Sequence, residues 1–122
     1  MYHKYNLPDA ESEVMEMLWK CGNEIKQTEL LKEFERAGKD WKRQTLNTLI
    51  TRLEEKGLIE RENRIVKALM TGEKYNYMQM KENIEYMYGG KLSSLLAAFA
   101  GQETISKEEA EEILRILEQN KE

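Results

Sequence analysis

Hydroxyl, amide and guanidinium side chains share one side of the segment WKRQTLNTLITRLEEKG, residues 41–57. Gln44, Thr45 and Thr48 come early in this segment, and Arg52 follows on its flank. An amide can pair with adenine, and a threonine can offer a hydroxyl to a base or a methyl group to thymine. These residue types suit the recognition of base edges in a DNA major groove.

The apolar residues of the same segment predict the helix that would carry these side chains. At 100° per residue they fall within about a quarter turn of each other, and Gly57 can adopt the left-handed conformation that ends a helix. Threonine is a poor helix former because its Cβ is branched, so the three threonines of this helix, Thr45, Thr48 and Thr51, favour a functional role. The alternative is an ordinary solvated surface. The apolar set is Leu46, Leu49, Ile50 and Leu53.

Cationic side chains near this helix are suited to phosphates, which position a protein on DNA without specifying a sequence. We predict this role for Lys42, Arg43, Arg52 and Arg64. Trp41 is expected to pack where the helix begins.

The distribution of charge matters more than the net charge of −4. Residues 1–70 hold thirteen basic and thirteen acidic side chains, whereas residues 71–122 hold six and ten. Between residues 39 and 67 the net charge is +3. A DNA-binding protein should therefore show a contiguous basic strip from Lys42 to Lys67. Within it, Arg61, Arg64 and Lys67 are expected to form a basic projection.

Two further helices precede this segment, and a hairpin follows it. Apolar spacing predicts helices over about 9–21 and 27–37, with Ile25 standing alone between them. Two short β-capable runs over about 58–69 flank a polar turn near Asn63. Three helices followed by a hairpin is the order of a winged helix-turn-helix, which places its third helix in the major groove. We assign residues 1–70 to this DNA-binding domain.

Residues 71–122 are predicted to form a helical dimerisation domain. Thr71 can cap one helix, and Ser106 with Glu109 can form a capping box for the last one. These helices carry more apolar residues than so short a segment can cover, so we expect a second copy of the chain to cover them. A ligand pocket lined by methionine and tyrosine is the alternative. The predicted interface residues are Tyr77, Ile84, Met87, Ile113, Leu114 and Leu117.

Several classes of protein are excluded by composition. Cys21 is the single cysteine and His3, near the start of the chain, the single histidine, so the body of the chain cannot build an intrachain disulfide, a cysteine-based zinc site or a Ser/His/Asp triad. We therefore predict no catalytic residue, no cofactor and no bound metal, and we do not expect an enzyme. No apolar run reaches the roughly 20 residues that cross a bilayer. The expected protein is cytoplasmic, without membrane insertion.

Four segments in order resemble the BlaI/MecI/CopY family of bacterial transcriptional repressors, over roughly residues 7–120. They are LPDAESEVMEMLWK, WKRQTLNTLITRLEEKGLIERE, KALMTGEKY and ISKEEAEEILRILEQ. The most specific pattern, W-x-x-x-T-x-x-T-x-x-x-R-L-x-x-K-G, begins at Trp41 and ends at Gly57. The resemblance implies a homodimer with an N-terminal winged helix and a C-terminal dimerisation domain. It also implies repression from palindromic double-stranded operators whose half-sites contain TACA/TGTA.

The resemblance leaves the inducing signal open. Copper-responsive members carry C-terminal cysteine pairs, which this chain lacks. Antibiotic-responsive members are cleaved at an Asn-Phe bond, with a membrane sensor protease as trigger, and here Ala98 replaces the asparagine before Phe99. A regulatory protease is therefore one possible partner, and a core role for Phe99 is the alternative. Two other functions remain open: a winged helix that binds proteins, and a repressor with a ligand pocket between its domains.

Overall fold

A computed structural model describes residues 5–122, so His3 lies outside the described part of the chain. Within that part, six helices and three strands follow the order of a winged helix-turn-helix with a helical extension. This confirms the predicted fold class, mainly α with a small β-hairpin. The elements are α1 (Asp9–Lys20), β1 (Glu24–Lys26), α2 (Gln27–Arg36), α3 (Arg43–Glu55), β2 (Ile59–Glu62), β3 (Ile65–Ala68), α4 (Gly72–Tyr88), α5 (Leu92–Ala100) and α6 (Lys107–Asn120).

The hairpin is part of a three-stranded antiparallel sheet in the order β1-β3-β2. Val66 in β3 lies opposite Ile25 of β1 on one side and Arg61 of β2 on the other. Strand β1 was not predicted, because three residues with one apolar side chain are too few to establish an alternating pattern. It forms only because β3, some 40 residues later, supplies its hydrogen-bonding partners.

The turn between β2 and β3 uses two residues in the left-handed conformation. Asn63 has φ 52° and Arg64 has φ 66°, as in the type I′ turns whose twist matches that of the flanking strands. Asparagine adopts this conformation more readily than most residues, as predicted. Arg64 adopts it too, and its side chain is exposed at the tip of the wing.

The core of the winged helix lies between α1, α2, α3 and the sheet. One apolar stripe of each helix is buried there, as the predicted spacing requires, and Leu58, Ile59 and Val66 close the sheet side. Trp41 packs on Phe34 with ring centroids 4.6 Å apart, which confirms its predicted role at the start of α3. The buried helical residues include Val14, Leu18, Leu30, Phe34, Leu46, Ile50 and Leu53.

The chain divides into two compact units, Met1–Glu82 and Asn83–Glu122, with the boundary inside α4. The first turn of α4 belongs to the winged-helix core. Trp19 donates its indole N–H to the Met70 carbonyl at 2.9 Å, and the Tyr75 hydroxyl donates to the Tyr5 carbonyl at 2.5 Å. This division describes packing and not function. The assignment of residues 1–70 to DNA binding and 71–122 to dimerisation stays a prediction.

Two predicted helix caps are confirmed in the second half of the chain. Thr71 Oγ1 accepts a hydrogen bond from the Lys74 amide at 3.1 Å, and Ser106 Oγ accepts one from the Glu109 amide at 3.1 Å. Each bond satisfies an amide that the first helical turn leaves without a partner. Among the described helices, none has the length and apolar composition needed to cross a membrane.

Candidate nucleic-acid interface

One face of α3 is buried and the opposite face is open to solvent. Leu46, Ile50 and Leu53 are at most 1% exposed, which holds the helix against the core. The residues predicted to contact bases, Gln44, Thr45 and Thr48, are all exposed. So are those predicted to contact phosphates, namely Lys42, Arg43, Arg52 and Arg64. Partners outside the chain can therefore reach this face.

The hydroxyl of Thr48 is already used as a donor. Thr48 Oγ1 donates to the Gln44 carbonyl at 3.0 Å, a bond back to the preceding turn that threonine often makes inside helices. What remains for an external partner is an acceptor lone pair and a methyl group. Thr48 can therefore accept from the amino group of cytosine or adenine, or contact the methyl group of thymine.

An open groove of about 840 Å³ lies between α2, the start of α3 and the turn of the wing. Arg43 and Arg64, which are 21 positions apart in sequence, both line it, as do Lys26 and Lys32. Glu35 is the one carboxylate among its lining residues. The groove is thus a basic concave surface beside the exposed face of α3.

Lys26 and Lys32 were not predicted as part of this surface. The helix before the recognition helix crosses the DNA backbone in helix-turn-helix proteins, so the position of Lys26 at the start of α2 was an available signal. Lys32 lies 3.5 Å from Glu29 one turn away. Exposed pairs of this kind contribute little, so this pairing leaves Lys32 available for an external anion.

Lys67, at the far end of the expected basic strip, has acidic residues as its cross-strand neighbours. In the sheet it lies between Glu24 of β1 and Glu60 of β2, its two cross-strand neighbours. Opposite charges in such positions attract each other, so the positive charge of Lys67 is offset locally. The continuation of the strip to Lys67 stays a prediction, and Lys67 is not among the residues that line the groove.

Arg61 corrects the predicted basic projection. Instead of pointing away at the wing tip, its guanidinium lies along α3, where Nη1 donates to Asn47 Oδ1 at 2.6 Å and Nη2 donates to Thr51 Oγ1 at 2.9 Å. Nη2 and Nε also donate to Glu54 Oε1 at 2.6 and 3.0 Å. The alternation of β2 was a signal for this direction, because Arg61 stands two residues after the buried Ile59 and so shares its face.

The predicted interface residues are open or half-buried in the single chain. Met87 is 64% exposed and Leu114 is 66% exposed, Tyr77 and Leu117 are also exposed, and Ile84 and Ile113 are half-buried. In the described part of the chain, each of the four exposed side chains is between 40% and 66% exposed, which is the condition that the dimer prediction requires.

Phe99 is not a core residue of the single chain. It is 50% exposed near the end of α5, and Ala98 beside it is exposed as well. The alternative in which Phe99 fills the core is therefore wrong for the isolated chain. A protease could reach this bond, although the local helix would have to unwind for the backbone to enter an active site.

The remaining candidate for chemistry, Cys21, lies at the C-terminal end of α1 as a free thiol. Partial burial raises its pKa, and the negative charge of Glu33 adds to this. A raised pKa disfavours the reactive thiolate. Among residues 5–122, no three histidine, cysteine or carboxylate side chains come together in a way that could hold a metal ion.

The three-helix arrangement with its hairpin wing and exposed third helix defines a winged helix-turn-helix protein. A model of the penicillinase repressor family matches residues 7–119. The methicillin resistance regulatory protein MecI of Staphylococcus aureus strain N315 is 34% identical over 122 residues, covering 93% of this chain and 94% of its own. The penicillinase repressor of Bacillus licheniformis is 30% identical over 119 residues, covering 94% and 91% respectively. The chain belongs to the penicillinase repressor family, whose members are transcriptional repressors and not enzymes.

Proposed function

We propose that this chain is a homodimeric repressor that binds a palindromic operator in double-stranded DNA through α3. The observation that carries the proposal is the open polar face of α3 beside a basic groove. Base contacts are assigned to Gln44, Thr45 and Thr48. Contacts to the phosphates are assigned to Lys42, Arg43, Arg52 and Arg64.

Dimerisation determines the spacing that the proposal requires between the two half-sites of the operator. Two copies of α3 enter successive major grooves on one side of the duplex when the half-sites are about one helical turn, or a multiple of it, apart. The exposed apolar side chains of the second unit, Met87 and Leu114 among them, supply the surface that a second copy would cover. A repressor of this kind must reach its DNA, so the proposal includes a cytoplasmic location.

Derepression by proteolysis is the second part of the proposal. Cleavage between Ala98 and Phe99 would separate α6 from the rest of the chain and so remove part of the dimer surface. The exposure of both side chains supports this bond as the target. A Phe99→Ala variant should stay intact in cells in which the unaltered chain is cut, and mass spectrometry of the fragments would locate the bond. Fragments that end elsewhere would remove this part of the proposal.

Selection of bound duplexes from a random pool tests the DNA-binding part. We expect an enriched palindrome, and on that duplex the affinity should fall about 10³- to 10⁵-fold between 50 and 200 mM salt if the dimer contacts about 6 to 10 phosphates. Enrichment of no sequence, together with an affinity that salt does not change, would refute the proposal and favour a protein-binding winged helix.

A further inference from the structure

The amide side chain of Asn47 lies on α3 next to the residues assigned to base contacts, and its oxygen is already occupied. Arg61 Nη1 donates to Asn47 Oδ1 at 2.6 Å, and Gln27 Nε2 donates to the same oxygen at 3.4 Å. Arginine has only donors, so the atom that faces Arg61 must be the carbonyl oxygen of the amide. The orientation of the Asn47 amide is therefore fixed by its neighbour.

Only the hydrogen-bond donors of the Asn47 amide remain available to an external partner. A carbonyl oxygen has two lone pairs, and the two donors use both. The NH₂ group of the exposed Asn47 side chain remains for an external partner. An asparagine pairs with adenine through its oxygen and its NH₂ group together. Asn47 in this arrangement cannot make that paired contact.

Arg61 itself is held in place and is poorly available to phosphates. Its side chain is 24% exposed, and it forms an ion pair with Glu54 through both Nε and Nη2. The Thr51 hydroxyl accepts a further bond from Nη2. Because Asn47, Thr51 and Glu54 follow one stripe of α3, the guanidinium bridges about two turns of the helix from the neighbouring strand.

We propose that Asn47 is an additional base-contacting residue and that Arg61 is the positioning residue that restricts it to donating hydrogen bonds. The inference rests on the proposed function, since it assumes that this face of α3 meets DNA. The base opposite Asn47 should present acceptors in the major groove, as guanine does with O6 and N7 and thymine with O4. Adenine, whose acceptor N7 lies beside a donor amino group, should be less favoured than guanine or thymine, and cytosine, which offers only a donor, should be the most disfavoured.

Arg61→Met tests the positioning role, because methionine keeps an unbranched apolar side chain and removes every donor. Without Arg61, the Asn47 oxygen regains a lone pair and can take part in pairing with adenine. We expect the selected base opposite Asn47 to shift towards adenine, with at least about a fivefold loss of affinity for the original operator. Fluorescence anisotropy on four duplexes that differ only at that base pair would measure both effects.

Arg64→Met is the matched control, since it makes the same change three positions along the chain at an exposed side chain. Loss of a phosphate contact weakens all sequences alike and lowers the salt slope by about 0.9. We expect this result for Arg64→Met and an unchanged slope for Arg61→Met. Asn47→Ala should abolish the preference at the same base pair, alone and in combination with Arg61→Met.

Three results would overturn the inference. They are an Arg61→Met variant that weakens all duplexes equally with a reduced salt slope, an unchanged base preference in that variant, and an Asn47→Ala variant with unchanged preferences at every position. If Arg61→Met fails to fold by circular dichroism, Gln27→Ala removes the second donor on Asn47 and should shift the preference in the same direction, while no shift would overturn the inference. An unaltered chain that selects no sequence would instead refute the proposed function.

Discussion

At the scale of single residues, an internal hydrogen bond of Thr48 limits the base groups that its side chain can contact. Its hydroxyl donates to the Gln44 carbonyl, so it faces a partner as an acceptor beside a methyl group. Sequence alone allowed either a donor or an acceptor at this position. The structure therefore predicts that Thr48 accepts a hydrogen bond from a base, whereas the residue type alone left the direction of that bond open.

Thr48→Ala, and likewise Thr45→Ala, should weaken operator binding by about 1–3 kcal/mol while leaving random DNA almost unaffected. Thr48→Val keeps the methyl group and removes the acceptor oxygen. The affinity that this variant loses therefore measures the contribution of the acceptor apart from that of the methyl group. Titrations against operator and random duplexes measure the difference. Thr104→Ala, an exposed position outside the winged helix, serves as control. Equal losses on both duplexes would exclude these threonines from base contacts.

A second prediction at this scale concerns a buried charge. Glu11 in α1 is 3% exposed, and its Oε1 lies 2.5 Å from Lys56 Nζ just after α3 ends. Removing one partner leaves the other buried without compensation. Lys56→Met should therefore lower the free energy of unfolding by about 3–5 kcal/mol in urea titrations. The Glu11→Gln, Lys56→Met double variant should recover part of that loss.

Lys32→Met is the control for Lys56→Met, because the ion pair between Lys32 and Glu29 is exposed on α2. Exposed pairs are worth at most about 1 kcal/mol. A Lys56→Met variant no less stable than Lys32→Met would show that the buried pair does not stabilise the fold.

At the scale of elements, α3 is held by contacts from several others. Trp41 packs on Phe34 at its start, Arg61 of β2 binds along its flank, and Lys56 pairs with α1 after its end. Interactions of this kind fix the orientation of the helix that we propose enters the DNA major groove. The start of α4 is held separately, through Tyr75 and Trp19, whose rings lie 5.3 Å apart.

The hydroxyl of Tyr75, in the first turn of α4, should make the stability of the fold depend on pH in the alkaline range. Burial raises the pKa of its hydroxyl, and the negative charges of Glu82 and Glu11 add to this. A group whose pKa is higher in the folded than in the unfolded state contributes its full stabilisation at pH values below its unfolded-state pKa. That stabilisation is lost as the pH rises from the unfolded-state pKa through the folded-state pKa. Stability should therefore hold up to about pH 9 and fall above about pH 10, near the ordinary tyrosine value.

Urea titrations between pH 8 and 11 measure this effect. Cys21 also has a raised pKa, so the comparison is best made in a Cys21→Ser background. Tyr75→Phe in that background should reduce the alkaline loss, at the cost of the hydrogen bond to Tyr5. An identical pH dependence with and without the Tyr75 hydroxyl would show that another group titrates.

At the scale of the whole molecule, exposed apolar surface on α6 is available for the proposed dimer interface. Leu114 is 66% exposed, Ile116 52% and Leu117 40%. Replacing Leu114 and Leu117 with serine should shift the chain from dimer to monomer in sedimentation experiments. Operator affinity should fall as well, because the two half-sites would no longer bind as one unit. Glu111→Ser on the same helix is the control, and an unaltered dimer in the double variant would exclude an interface role for both leucines.

The sequence by itself determined the features that depend on near neighbours. The stripe of leucines predicts α3, Gly57 with φ 76° ends it as predicted, and Ser106 caps α6. Helix periodicity, capping and turn conformation each act over only a few residues. The motif that begins at Trp41 also indicated the family, which the comparisons confirm.

Only the tertiary structure decided the features that join distant parts of the chain. Strand β1 exists because β3 pairs with it, and the basic groove exists because the wing brings Arg64 to the start of α2 and to Arg43. Arg61 looked like a free cation in sequence, yet it binds Asn47, Thr51 and Glu54 across the strand-helix contact. These outcomes depend on which surfaces meet when the core packs, and no local pattern of residue types carries that information.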